Sequence, residues 1–276
     1  MSLKNITICL TGTQQSSNIL KYAANIAESC NAKLNCVYIK PEYENIVNFA
    51  FGMGEGSGAV YEEVKNNVEI EHMSRQNVAK NQFEDSVKLK NSSFQVYEAD
   101  VNEKISYIGK YTDLLILPEN IEEIGGDYIG IIQTCLMQTG RPIILFPENY
   151  RSNQPKKILI SWDGSMRAAR SVKASIEVLQ KAEEVYIVGI NEDEKDIQSA
   201  NDLSNYLLDH NVESQHLGIK KVQSSIGKTI ISEAKNLDVD LVVMGAYTHN
   251  KLKQALFGGV TSYIIENTQL PVFMCH

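Results

Sequence analysis

Apolar positions in this chain fall into short β-branched runs separated by amphipathic stretches, and the whole alternation occurs twice. Lys4 to Leu10 and Lys156 to Trp162 read as buried strands, followed by Thr11, Gly12, Thr13 in one case and Asp163, Gly164, Ser165 in the other. Helical spacing comes next. Ile19, Tyr22, Ala23 and Ile26 recur at three- and four-residue steps in the first half. Ala169, Val172, Ile176 and Leu179 do so in the second, behind Ser165 as N-cap. The halves also close alike: TDLLILPEN answers VDLVVMGAY, and GRPIILFPEN answers TQLPVFMCH. Residues 142 to 147 and 271 to 275 therefore read as proline-led strands suited to a sheet edge, and as candidates for pairing the halves.

Each half alternates strand and helix through five strands, which predicts an α/β fold with two tandem open parallel five-stranded sheets flanked by helices. The polar stretch Glu148 to Pro155 reads as the linker between residues 1–148 and residues 155–276. Gly12 aligns with Gly164 at an offset of 152 and Asp113 with Asp240 at 127, so the first half holds about 25 more residues between those landmarks. The excess is expected to include residues 43 to 66. There the glycine-rich FAFGMGEGSGAVYEEV leads into a helical pattern with Val60, Val64 and Val68 on one face, a pattern expected of a mobile flap. Gly52, Gly54, Gly56 and Gly58 do not follow a strand in the first βα turn, as a dinucleotide fingerprint requires, and read as loop.

Composition narrows the function. A hydrophobic share of 43% and a charged share of 22% are those of a soluble globular protein, and no apolar run approaches a membrane span. The start of the chain reaches Thr11 after only a few apolar residues, too short for a secretory core, so a cytoplasmic location is expected. A net charge of −8 disfavours nucleic acid as a partner. Cys9, Cys30, Cys36, Cys135 and Cys275 show no CxxC spacing and read as reduced, structural thiols. HExxH, GxSxG and paired-carboxylate motifs are missing from the sequence, and His276 beside Cys275 supplies only two terminal ligands, so no metal of its own is expected. No activated nucleophile or base is visible either. An enzyme is therefore the less favoured reading.

Candidate chemistry concentrates between Asp240 and Cys275. Asp240 to Met244 reads as a strand buried on both faces that ends at Gly245. Gly258 and Gly259 precede Val260, Thr261 and the apolar run Tyr263 to Ile265, a helix start whose N–H groups favour an anion. These glycines serve either a ligand or sharp turns. His249, Lys251 and Lys253 either neutralise phosphate oxygens or are simply solvated. Asp163 follows a strand at the carboxyl end of the sheet, where open α/β folds place ligands. Its carboxylate could accept from a ribose hydroxyl or an adenine amino group, or cap the helix near Ser165. Gly227, Lys228 and Thr229 imitate the tail of a P-loop, but the required earlier glycine is Val222, and a helix entered through Ser224 or Ser225 fits better.

The run from Asp240 to Cys275 resembles the signature region of the universal stress protein family, whose nucleotide-binding members carry glycine, two residues, glycine, nine residues, glycine, then serine or threonine. Gly245 holds the first position, Thr248 stands at the second, residues 249 to 257 fill the gap, Gly258 matches, and Gly259 replaces the hydroxyl residue, with Thr261 the nearest substitute. LFGGVT is similar to a variant of the family. The resemblance covers nearly the whole chain, more closely in the second half, and implies a tandem member whose halves pair as single-domain members form dimers. It leaves a homodimer open as well.

This resemblance implies an adenine nucleotide, ATP or AMP, in the C-terminal half. Asp163 would take the adenosine end, with Met244, Gly245, Thr248, His249, Gly258, Gly259 and Thr261 completing the site. The Cβ of Thr248 would narrow the phosphate approach. In the first half Thr11 replaces the aspartate, and Leu117, Pro118 and Glu119 replace the strand-end glycine, setting a carboxylate where phosphate oxygens would lie. The alternative reading is a degenerate tandem stress protein that binds no nucleotide and acts as a scaffold for protein partners.

Overall fold

Ten strands form one continuous sheet in the computed structural model, which describes residues 2–13, 16–42, 58–119, 121, 128–151, 154–220, 225–246 and 259–276. The first half contributes β1 (Asn5–Leu10), α1 (Ser16–Ser29), β2 (Lys33–Lys40), α2 (Gly58–Ser86), β3 (Ser92–Glu98), α3 (Val101–Gly109), β4 (Leu114–Pro118), α4 (Tyr128–Gln138) and β5 (Ile143–Phe146). The second contributes β6 (Lys157–Ser161), α5 (Met166–Leu179), β7 (Glu184–Ile190), α6 (Glu194–Asp209), β8 (Gln215–Ile219), α7 (Ile226–Asn236), β9 (Leu241–Gly245), α8 (Gly259–Asn267) and β10 (Val272–Cys275). The order is β3-β2-β1-β4-β5-β10-β9-β6-β7-β8.

Strands within each half pair in parallel, whereas β5 and β10 pair antiparallel, with Val272 opposite Leu145 and Met274 opposite Ile143. The two expected sheets are thus two parallel sets fused along one seam. Each set alone would leave an unpaired strand edge there, and pairing the edges satisfies both. Proline suits the position. Pro142 and Pro271 each turn a carbonyl to the parallel neighbour, accepting from Leu115 and Val242 N–H, so alternation turns the next residues of each strand toward the seam. An antiparallel seam also sets the carboxyl ends of the two halves on opposite edges of the sheet.

The central strands are apolar on both faces, as helices on both sides require: Ile6, Ile8, Leu10, Leu114 to Leu117, Ile158 to Ile160 and Leu241 to Met244 are all buried. The internal repeat extends to hydrogen bonds. Asp113 Oδ2 accepts from the backbone of Lys4 and Asn5, both at 2.9 Å, and Asp240 Oδ2 accepts from Lys156 and Lys157 at 3.0 and 2.9 Å. Tyr150, in the linker, adds a bond from its hydroxyl to the Asp240 carbonyl at 3.0 Å.

Helix phases follow the sequence pattern with one correction. Ile19, Tyr22, Ala23 and Ile26 are buried as expected, and so are Val172, Ile176 and Leu179, but Ala169 faces solvent while Ala168, Ser171 and Ser175 are buried. The serines are tolerated inside because they are bonded: Ser171 Oγ donates to the Met244 carbonyl at 2.8 Å and accepts from Cys275 N–H at 2.9 Å. α2 takes up much of the extra length of the first half and packs on α1, β2 and β3. Residues 58–66 of the expected flap lie in its first turns, and 43–57, with Gly52, Gly54 and Gly56, lie outside the described residues.

All five cysteines are free, four of them buried, and burial pushes the Cys9 thiol up to about 12. Among the described residues no helix is long and apolar enough to cross a membrane, and no group of three or more His, Cys, Asp or Glu side chains is placed to hold a metal ion.

Candidate functional site

The strand β6 ends at Ser161, and the chain then passes Trp162 and Asp163 to Gly164, whose φ of +66° makes the reversal into α5. Ser165 caps that helix, its Oγ accepting from Ala168 N–H at 3.1 Å, while Asp163 Oδ1 accepts from Ser165 N–H at 3.0 Å. Asp163 therefore supports the helix start with one carboxylate oxygen and is itself solvent-exposed.

At the end of β9 the glycine requirement is one of packing. A Cβ on Gly245 would stand 2.7 Å from Ala168 N and 2.9 Å from the Arg167 carbonyl carbon, so only glycine lets the first turn of α5 lie on the strand end. Gly259 opens α8, and a Cβ there would meet none of the described residues within 4 Å. Ser225 caps α7 by accepting from Lys228 N–H at 3.2 Å. Gly227 packs against the Tyr263 ring and Thr229 is buried with its hydroxyl on the Ser225 carbonyl, so the P-loop imitation is an ordinary helix start.

These strand ends and three helix starts surround a cleft of about 810 Å³, within the usual size of small-ligand sites. Asp163, Met244, Gly245, Gly259 and Thr261 line it, which brings together five of the residues expected from the sequence. Thr248, His249 and Gly258 lie outside the described residues, as do Lys251 and Lys253. The sequence reading missed Trp162, Ile190, Glu192, Asp196 and Ile226. Their signal was positional: residues at the carboxyl end of β7 and the starts of α6 and α7 share the edge that carries Asp163.

Glu192 has an unusual seat. It follows Asn191, whose φ of +56° turns the chain back, and its carboxylate lies across Gly189 and Gly218, which are register partners on β7 and β8. A Cβ on Gly218 would stand 2.7 Å from Glu192 Oε2, so both glycines keep the slot clear. His216 Nε2 meets the two carboxylate oxygens at 2.9 and 3.0 Å.

The matching place in the first half is covered. Gly12, the counterpart of Gly164, has φ +71°, and a Cβ on it would stand 2.6 Å from the carbonyl carbon of Arg75 on α2. Gln82 Nε2, further along α2, donates to the Thr13 carbonyl at 2.8 Å. Glu119 Oε2 accepts from Glu148 N–H at 3.1 Å.

The second half is thus an open parallel α/β unit with a ligand-sized cleft where helix starts meet strand ends. Residues 156–276 match the model of the universal stress protein family. A universal stress protein of Synechocystis sp. is 20% identical, covering 98% of this chain and 99% of its own length. Among solved structures, a universal stress protein from Archaeoglobus fulgidus superposes with a TM-score of 0.68 at 12% identity, over 99% of this chain and 98% of that one. A protein of unknown function from Pseudomonas aeruginosa gives 0.63 at 12%, over 99% and 92%. At such identities the two structures speak for the fold. Residues 156–276 thus carry a universal stress protein domain, and the chain is similar over nearly its whole length to a universal stress protein.

Proposed function

We propose that this protein is a stress-response regulator that binds one adenine nucleotide, ATP or AMP, in its 155–276 unit, while the 1–148 unit binds none. The supporting observation is the asymmetry between the two sheet edges: a cleft of about 810 Å³ beside Asp163 and Gly164, against a first-half counterpart covered by α2 at Gly12. In the cleft Asp163 accepts from the adenosine end. The N–H groups at the start of α8, from Gly259, face the phosphate end, and Thr248, His249 and Gly258, outside the described residues, are assigned to that end by the family resemblance alone. Occupancy would regulate protein partners in the cytoplasm only if bound and empty forms expose different surfaces.

Denaturing extraction of the purified protein, followed by mass spectrometry and by calorimetric titration with ATP and AMP, tests this reading. The expected result is adenine nucleotide near one per chain, weakened by Asp163→Ala and retained or tightened by Thr248→Gly. No nucleotide and no heat at millimolar ligand would leave a partner-binding scaffold as the better account.

A further inference from the structure

We propose that the free edge of β3 is a docking surface for a second copy of this chain, the two β3 strands pairing antiparallel about a two-fold axis at Gln95. The inference is independent of whether the second-half cleft takes a nucleotide.

β3 ends the sheet, so one side of its backbone has no strand partner. Its register on β2 decides which groups that side offers. Leu34 N–H donates to the Asn91 carbonyl and Ala99 N–H to the Lys40 carbonyl, so residues 91, 93, 95, 97 and 99 turn their backbone groups to β2. Ser92, Phe94, Val96 and Glu98 therefore turn theirs outward, and among the described residues no other segment bonds to them. Such an edge is a template for another strand unless it is short or guarded. β3 runs for seven residues with no lysine or proline inside it, and its Val96 is 39% exposed. The opposite edge differs. β8 has five residues, and alternation from the bond between Asn191 N–H and the Ile219 carbonyl leaves His216 and Gly218 facing outward, neither of them apolar and large.

A second copy supplies the matching strand. Antiparallel pairing centred on Gln95 sets Ser92 against Glu98 and Phe94 against Val96 of the other copy, the register that uses all four outward residues of both strands. The exposed Val96 then lies beside an aromatic ring. Continued outward, the same register brings the basic approach to β3, Lys88 and Lys90, to the acidic exit, Glu98 and Asp100, so the charges at each end are opposite.

The flanking helix fits as well. α2 packs on both β2 and β3, which puts its axis near the gap between them. A strand spacing of about 4.8 Å then sets the two copies of α2 about 10 Å apart, an ordinary distance for packed helices. Glu69, Met73, Gln76, Lys80 and Phe83 form one row along α2. That row is held to the β3 side by Lys40, whose ammonium lies 3.8 Å from Glu69 and 3.4 Å from Glu98, and by the Phe83 ring, 5.8 Å from that of Phe94. Met73, 58% exposed, thus adds apolar area that two strand edges by themselves lack. The chain uses the same device internally, because β5 and β10 are two edges of parallel sets joined antiparallel.

Sedimentation velocity on the full chain, wild type and Val96→Lys, tests this together with crosslinking of Gln95→Cys. Between about 1 and 100 µM the wild type should pass into a dimer, and Val96→Lys, shown to be folded by circular dichroism, should weaken association at least about tenfold. Gln95 meets itself across the axis in a non-hydrogen-bonded pair, where Cα atoms stand about 4.5 Å apart, within the span of a disulfide. Oxidised glutathione should therefore link Gln95→Cys into a covalent dimer, while the wild type and Leu208→Cys, exposed on α6, stay unlinked. A wild-type monomer throughout that range would overturn the proposal. So would a dimer that Val96→Lys leaves intact or in which Gln95→Cys stays unlinked, since the interface would then lie elsewhere.

Discussion

The backbone of Arg75 on α2 lies directly over Gly12 at the end of β1, close enough that a Cβ on Gly12 would stand 2.6 Å from the Arg75 carbonyl carbon and 2.8 Å from its Cα. Its counterpart across the repeat is open: Gly164 has nearly the same φ, and the nearest atom to a Cβ there is Ser199 Oγ at 3.4 Å. One repeated turn therefore serves two ends, as a floor for a helix in the first half and as the rim of a cleft in the second.

The pair makes a matched prediction. Gly164→Ala should cost the left-handed backbone strain alone, about 1–2 kcal/mol. Gly12→Ala must also push α2 off the strand end, against backbone atoms that cannot rotate away, and should cost roughly 3 kcal/mol or more. Urea unfolding followed by far-UV circular dichroism measures both. Equal losses would mean that α2 does not depend on Gly12 for its seat.

Asp113 and Asp240 present a second matched pair. Each carboxylate gathers two backbone N–H groups at the start of the leading strand of its half, but Asp240 also meets the linker, through the Tyr150 hydroxyl. Asp113→Ala and Asp240→Ala should each cost about 1–2 kcal/mol, since the freed N–H groups regain water only in part. Tyr150→Phe should cost about 1 kcal/mol by itself, because its ring can keep its edge contacts with Phe146 and Tyr22. In a double mutant with Asp240→Ala that loss should shrink, whereas with Asp113→Ala it should add in full.

These two pairs also show how far the sequence could be read. The repeat was visible as letters, so β1, β6, β9, the Ser165 cap and the seam strands 143–146 and 272–275 could be placed with boundaries within about two residues. The face of α5 was misread at Ala169 because Ser171 and Ser175, whose hydroxyls are bonded internally, are polar letters at buried positions. The cover over Gly12 and the Glu192 slot were invisible for a different reason. Both depend on tertiary placement, of α2 in one case and of the β7–β8 register that sets Gly189 beside Gly218 in the other. A glycine in a sequence does not say what approaches it.

Acid should act on the first half through His72. Its ring is buried on α2, with Nδ1 2.9 Å from the Tyr38 hydroxyl, and burial lowers its pKa, helped by the charges of Arg75 and Lys40 and opposed by Glu71. The folded form thus holds its proton less tightly than the unfolded chain does. Stability then falls as pH drops through the unfolded value of about 6.5 and levels off below the folded one. Urea midpoints measured from pH 7.5 down to 5 should decline in the wild-type protein and decline less in His72→Gln. Identical pH slopes would assign the acid sensitivity to other groups.

Trp162 provides the most direct reading of the cleft, because it is the one tryptophan of the chain and lines the site, with its indole N–H donating to Ser199 Oγ at 3.1 Å. Its emission therefore reports on this edge of the sheet and on nothing in the first half. A ligand entering beside Asp163 must displace water from the indole or change its contacts, and an adenine ring stacked near an indole quenches it. Titrating AMP should produce a saturable change in emission that Asp163→Ala shifts to higher concentration. Ser199→Ala, which frees the indole N–H, should alter the starting spectrum while leaving the AMP midpoint within about twofold, since Ser199 does not line the cleft. A change in emission with AMP that is linear and unaffected by Asp163→Ala would be nonspecific absorption rather than binding, and would count against nucleotide in this cleft.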